Sequence, residues 1–159
     1  MVMNERIAQM EELTAEAVGN VFQCMLSMEV AMEPPMPLAD EGQGQIVGSV
    51  GFVGKATGII YLNAGVHFAK VITSRMLGIP EAEIDEGEMV SDAFGELCNM
   101  VVGRVKSRLC DKGWSCTLTI PSIVRGQRMT VENSPQVEKK IIGFRSGDYH
   151  LLVDLLLKH

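Results

Sequence analysis

Aromatic side chains are scarce in this 159-residue chain, 5% of the total, and no run of lysines or arginines occurs in it. The first shortage removes the stacking platforms that hold single-stranded nucleic acid. The second, with a net charge of −6, removes the basic patch that nucleic acid or an acidic membrane surface would need. Long apolar runs are missing too. The most apolar stretch, residues 46–66, contains five glycines and Lys55 and breaks into strand-length pieces, so no membrane span is expected. The first residues, MVMNERIAQMEEL, are acidic and amphipathic and lack the apolar segment of a signal peptide, which points to a cytoplasmic protein. Cysteines 24, 98, 110 and 116 form no Cys-x-x-Cys pair, and His67, His150 and His159 are scattered. Reduced thiols and no metal site are therefore expected. What is left, with 47% hydrophobic and 21% charged residues, is one globular domain over residues 1–159 with enough chain for a core.

The most informative stretch is residues 89–109, MVSDAFGELCNMVVGRVKSRL. It is proline-free and long enough for five to six helical turns. Val90, Phe94, Leu97, Val101 and Val105 recur at helical spacing and fall within an arc of roughly 80° at about 100° per residue. That side faces a core. Asp92, Glu96, Asn99 and Gly103 occupy the opposite side. Glu96 and Asn99 lie one turn apart, so a carboxylate and a carboxamide project as neighbours from one face. Gly103 either lets another molecule approach closely or packs against a neighbouring helix. In mid-helix it is less favourable than alanine by about 1 kcal/mol, which asks for one of these reasons. Met100, beside Glu96, is a docking contact or a satellite core position. Asp92, four residues before Glu96, is mildly disfavoured by that like charge.

Around this helix the chain reads as follows. Residues 4–28 predict a helix with Ile7, Met10, Thr14, Ala17, Val18, Val21, Met25 and Met28 inward, stopped by the prolines of MEPPMP. Residues 40–44 lead into a hairpin over 45–62, turning at 53–56, with TGIIYL as a central strand. GSVGFVGK is not a phosphate loop, because no Ser or Thr follows Lys55. Residues 63–77 predict a short amphipathic helix ended by Gly78 and Pro80, and the acidic EAEIDEGE then caps the central helix. After a turn at 111–113, strands are predicted over 114–120, ended by Pro121, and over 127–132. A turn at 133–135 follows, and strands 137–144 and 149–157 close a final hairpin around Ser146, Gly147 and Asp148. A weak repeat supports this layout: Gly51, Phe52, Ile59 and Ile60 recur as Gly143, Phe144, Leu151 and Leu152. A long helix precedes each hairpin. The fold class is therefore α/β (α+β): a pseudo-symmetric helix-plus-hairpin duplication, about six mostly antiparallel strands with two long helices packed across the sheet.

The pattern Asp-x-x-x-Glu-x-x-Asn-(apolar)₃-Gly at Asp92–Gly103, on a long helix between two glycine-rich hairpins, resembles the active-site helix of the CheX group within the CheC/CheX/FliY chemotaxis phosphatases. The likeness extends over most of the chain. It implies the same pseudo-symmetric fold and a homodimer joined through sheet edges, with residues 114–131 as candidate edges. It also implies a phosphorylated CheY-type receiver domain as partner. CheC-type members carry two Glu-x-x-Asn sites. Here Asn20 on the first helix matches Asn99, but Ala17 stands where Glu96 would be and Glu16 is four residues from Asn20. One site points to the CheX type.

Two side chains suffice as a catalytic pair only if the substrate brings the rest. A receiver carries the phosphorylated aspartate, a lysine and the Mg²⁺, so this chain itself need bind no cofactor. Phosphoryl transfer depends on positioning and charge stabilisation. Asn99, uncharged and able both to donate to and accept from water, is the candidate for orienting the attacking water. Glu96, which would repel a phosphoryl group, suits a charge-assisted bond to the receiver's lysine. Asp92, Met100 and Gly103 are the candidate partner-binding residues. A non-catalytic receiver-binding or flagellar-switch scaffold using the same face is the alternative. A free-standing phosphoesterase is poorly supported, since no nucleophile or metal set is visible.

Overall fold

The structure is a computed structural model and describes residues 3–38, 44–127, 129–132 and 134–158. Helix α1 spans Met3–Leu26 and is followed by a short strand, β1, Ala31–Glu33. Strands β2 (Gln45–Gly54) and β3 (Gly58–Gly65) form the first hairpin. Helices α2 (Val66–Leu77) and α3 (Glu88–Asp111) come next, with a 3-10 turn at Glu81–Glu83 between them. Strands β4 (Cys116–Leu118), β5 (Ser122–Gly126), β6 (Val137–Ser146) and β7 (Tyr149–Lys158) complete the chain.

Among the described residues seven strands make one sheet in the order β1-β6-β7-β3-β2-β4, with β5 also on β2, and every pairing is antiparallel. The two hairpins meet at the centre through β3 and β7. Each hairpin's first strand is flanked outside by short strands from the other half: β1 beside β6, β4 and β5 beside β2. That is the expected pseudo-symmetry. Its register is not uniform, however. Gly51 faces Ile59, whereas Gly143 faces Leu152 rather than Leu151. Strand alternation sends Ile60, Leu62, Val153 and Leu155 into the cluster they share with all three helices. Asn63, Asp154 and Leu156 alternate to the other face.

Several boundaries differ from the expectation for identifiable reasons. The first helix stops at Leu26, before the prolines. Ser27 turns left-handed (φ 53°), and the Met28 N–H donates to the Phe22 carbonyl at 3.1 Å. Met25, expected inside, is 50% exposed, while Leu26 is buried. The last turn is covered from the α2 side, where Phe22 meets Phe68 and the Arg75 guanidinium donates to the Leu26 carbonyl. Met32 and Glu33, read only as part of the helix stop at 32–37, form an edge strand together with Ala31.

The second helix begins at Val66, because Asn63–Gly65 still pair with β2 and the Asn63 amide donates to the Leu152 carbonyl and Asp154. Strand β4 is only three residues long, since it meets β2 only over Phe52–Gly54. The strand expected at 127–132 is not found among the described residues there. Strand β5 lies earlier, just past Pro121, against residues 45–49. The Met129 N–H instead donates to the Gln45 side chain. Residues 40–43, Arg128 and Asn133, which fell in a predicted lead-in, strand and turn, lie outside the described residues. The final hairpin turns at Gly147–Asp148, with Gly147 at φ 58°, a conformation that favours glycine.

Candidate functional site

Helix α3 lies close to the sheet at Gly48 of β2. A Cβ placed on Gly48 of β2 would lie 2.3 Å from the Cys98 sulfur and 3.2 Å from the Phe94 ring, so only glycine lets the helix settle there. Val90, Phe94, Leu97, Val101 and Val105 are buried as their spacing predicted. Burial pushes the Cys98 thiol well above its ordinary pKa, with a smaller opposing effect from its own backbone. This cysteine is packing, not a nucleophile. On the neighbouring side Gly95 lies against Ile123 and Pro121.

The acidic stretch before α3 holds its start in a different way from the cap expected. Gly87 occupies the N-cap position with no side-chain cap bond, while its N–H donates to Asp85 Oδ1 at 3.1 Å. Glu88 stands in the first turn, where the helix dipole favours it. The Arg125 guanidinium reaches over from β5 and donates to the Gly87 carbonyl at 2.7 Å and to Ser91 Oγ at 3.1 Å. Sequence reasoning missed Arg125. Had β5 been placed correctly, its position beside β2 would have pointed there.

With the core side fixed, Asp92, Glu96 and Asn99 are exposed on the outer face and Gly103 half-exposed. Neither Glu96 nor Asn99 has a hydrogen-bond or ion-pair partner among the described residues. A Cβ on Gly103 would meet nothing within 4 Å, so packing against a neighbouring helix does not account for this glycine. Met100 is half-buried and packs on the main cluster, so it belongs partly to the core. The structure thus puts Asp92, Glu96, Asn99 and Gly103 on one open face, with Met100 at its margin.

The first helix is different. Ala17 is buried, the Asn20 carbonyl oxygen accepts from the Cys24 thiol at 3.3 Å, and Glu16 forms an ion pair with Arg108 of α3. Among the described residues no three His, Cys, Asp or Glu side chains gather as a metal group would require, and no helix is long and apolar enough to cross a membrane.

The family described as chemotaxis phosphatase CheX matches this sequence over residues 46–145. The chain belongs to the CheX family. Solved CheX structures share its fold. Chemotaxis protein CheX from Desulfovibrio desulfuricans is 22% identical, with a TM-score of 0.80 over 94% of this chain and 99% of that one. CheX from Vibrio vulnificus is 25% identical, with a TM-score of 0.78 over 94% and 96%. The CheX–CheY–BeF3–Mg²⁺ complex from Borrelia burgdorferi is 24% identical, with a TM-score of 0.77 over 93% and 97%. No curated protein matches the chain. Membership in CheX makes this a phosphatase of the chemotaxis class.

Proposed function

We propose that this CheX protein accelerates hydrolysis of the aspartyl phosphate on a CheY-type receiver, in the cytoplasm, and that Glu96 and Asn99 do the work. The observation that carries the reading is the uncommitted, solvent-facing carboxylate–carboxamide pair on a helix packed against the sheet. The Asn99 carboxamide holds a water in line with the acyl-phosphate bond. The water oxygen attacks phosphorus, the bond to the aspartyl oxygen breaks, and that carboxylate leaves with the bonding pair. Inorganic phosphate departs and the water's proton passes to it or to solvent. Glu96 engages the receiver's lysine and sets the docking register. Gly103 and Asp92 border the contact and Met100 supplies its apolar margin. The receiver's own Mg²⁺ neutralises charge on the phosphoryl oxygens. The Borrelia burgdorferi complex, a CheX with CheY, BeF3 and Mg²⁺, supports this choice of partner.

The test is the decay of a phosphorylated CheY-type receiver with and without the protein, set against a generic phosphoester without receiver. Faster receiver decay and no action on the phosphoester are expected. Binding without faster decay supports the scaffold reading, and action on the phosphoester alone overturns both. A homodimer through sheet edges is proposed with it, supported by the exposed Val124 (56%) on edge strand β5. Sedimentation at micromolar concentration tests it, a monomer being the contrary result.

A further inference from the structure

Charge along α3 changes sign from one half to the other. Glu88, Asp92 and Glu96 lie in its first half and Arg104, Lys106 and Arg108 in its second, with Asp111 as its last residue. Arg104 and Arg108 stand on the flank that turns toward α1. Arg108 is accounted for: it sits in the last turn, where the helix dipole favours a cation, and it pairs with Glu16. Arg104 has neither reason. It lies a turn further from the helix end, beyond the reach of the dipole effect. Four residues on is Arg108, a like charge at the spacing that disfavours both. The arginine is exposed and has no ion pair among the described residues. It lines a small crevice where α3 meets α1, with Glu16, Ala17 and Asn20 on the far wall. Along the ridge from Glu96 through Met100 to Arg104 the chain presents an acid, an apolar contact and a free guanidinium. The span is roughly 12 Å at about 1.5 Å per residue.

We propose that Arg104 is a docking and specificity residue, pairing with a carboxylate on the receiver that lies roughly 12 Å from the lysine Glu96 engages. This rests on the receiver-phosphatase reading of the Glu96–Asn99 face. A partner complementary to the ridge carries cation, apolar spot and anion in the reverse polarity. Two opposed charge contacts fix the direction in which it lies along the helix, which one contact cannot do. A receiver with a neutral or basic residue at the second point is discriminated against.

The experiment measures receiver-phosphate decay against receiver concentration, using each CheY-type receiver of the same genome, for the wild type and Arg104→Ala, Arg104→Glu and Arg104→Lys. KM is expected to rise about threefold for Ala and about tenfold for Glu, with Lys nearer wild type, kcat within about twofold and the differences shrinking at high salt. Melting temperatures are expected to stay together, since the side chain is exposed. Unchanged KM in Arg104→Glu, or a fall in kcat at constant KM, overturns the docking role while leaving the phosphatase reading standing. If the wild type does not speed decay, the phosphatase reading fails by itself. The same variants are then titrated against beryllofluoride-loaded receivers. A weaker affinity of Arg104→Glu keeps the docking role, and equal affinity or no binding by the wild type ends it.

Discussion

The two long helices carry the same carboxamide and differ in what has become of the acid beside it. On α3, Glu96 stands one turn before Asn99, and both are exposed and without partners among the described residues. On α1 the residue one turn before Asn20 is Ala17, 4% exposed and part of the core. The nearest acid, Glu16, is committed to Arg108, and Asn20 itself accepts from Cys24. An amide on a helix is therefore not enough to make a site. What separates the two surfaces is a carboxylate that is exposed and has no partner among the described residues, whereas the acid on α1 braces two helices.

The sharpest way to test the contrast is to delete each amide. Asn99→Ala is expected to lower kcat for receiver dephosphorylation by about 100-fold or more, with KM changed far less, because water positioning is lost and docking is kept. Asn20→Ala is expected to leave both constants within about twofold, the spread of an ordinary surface change. Phosphate release under identical conditions decides. Comparable losses in the two variants would make α1 a second working site.

Restoring the missing acid attacks the comparison from the other side. Ala17→Glu puts a carboxylate at a position 4% exposed. Stability is expected to fall by roughly 2 kcal/mol in urea unfolding, with no second site gained. A faster enzyme of unchanged stability would mean the face of α1 is more open than its burial says.

The contrast was half legible in the sequence, and the legible half is local. Periodicity alone put Val90, Phe94, Leu97, Val101 and Val105 inside and Asp92, Glu96 and Asn99 outside, because a helix wedged on a sheet obeys its own 3.6-residue repeat. Strand patterning and turn residues likewise found both hairpins, with the weak repeat between Gly51 and Gly143 in support. What periodicity could not supply was tertiary. The Glu16–Arg108 pair joins residues far apart in the chain, so Glu16 reads as a spare acid until the fold closes. Ser122–Gly126 follows a proline and has little apolar alternation, so its strand exists only because residues 45–49 offer an edge. Three-residue β1 is too short to show a period before Pro34. Met25 keeps the core spacing and is nonetheless exposed, since the last turn of α1 is covered from the side of α2.

Glycines give a finer comparison. Gly19 of α1 and Gly103 of α3 would each carry a Cβ without meeting any atom within 4 Å. Alanine at either site is expected to raise stability by about 0.5–1 kcal/mol, since helical glycine loses more backbone entropy on folding. Only Gly103→Ala is expected to weaken docking, by about fivefold in KM, because its methyl intrudes where the receiver approaches. Equal KM values for the two variants would remove Gly103 from the contact and leave its glycine unexplained.

A third acid, neither free like Glu96 nor paired at the surface like Glu16, extends the contrast to the sheet's other face. Asp154 is 6% exposed, accepts from Asn63 at 3.2 Å and lies 3.6 Å from the Lys139 ammonium. Burial raises its pKa above the ordinary 3.8, and Lys139 and Asn63 oppose that without cancelling it. The native state therefore holds the proton more tightly than the unfolded chain does. Its contribution to stability is complete below the ordinary value and is lost as pH rises through the folded-state pKa. Asp154→Asn keeps the shape and removes the titration. The melting temperature of the variant relative to wild type is expected to climb as pH rises from about 3.5 to 7, by about one to two degrees. A relative melting temperature that falls over that range would mean the Lys139 pair outweighs burial. Asp154 would then be a brace of the same kind as Glu16, hidden beneath the sheet.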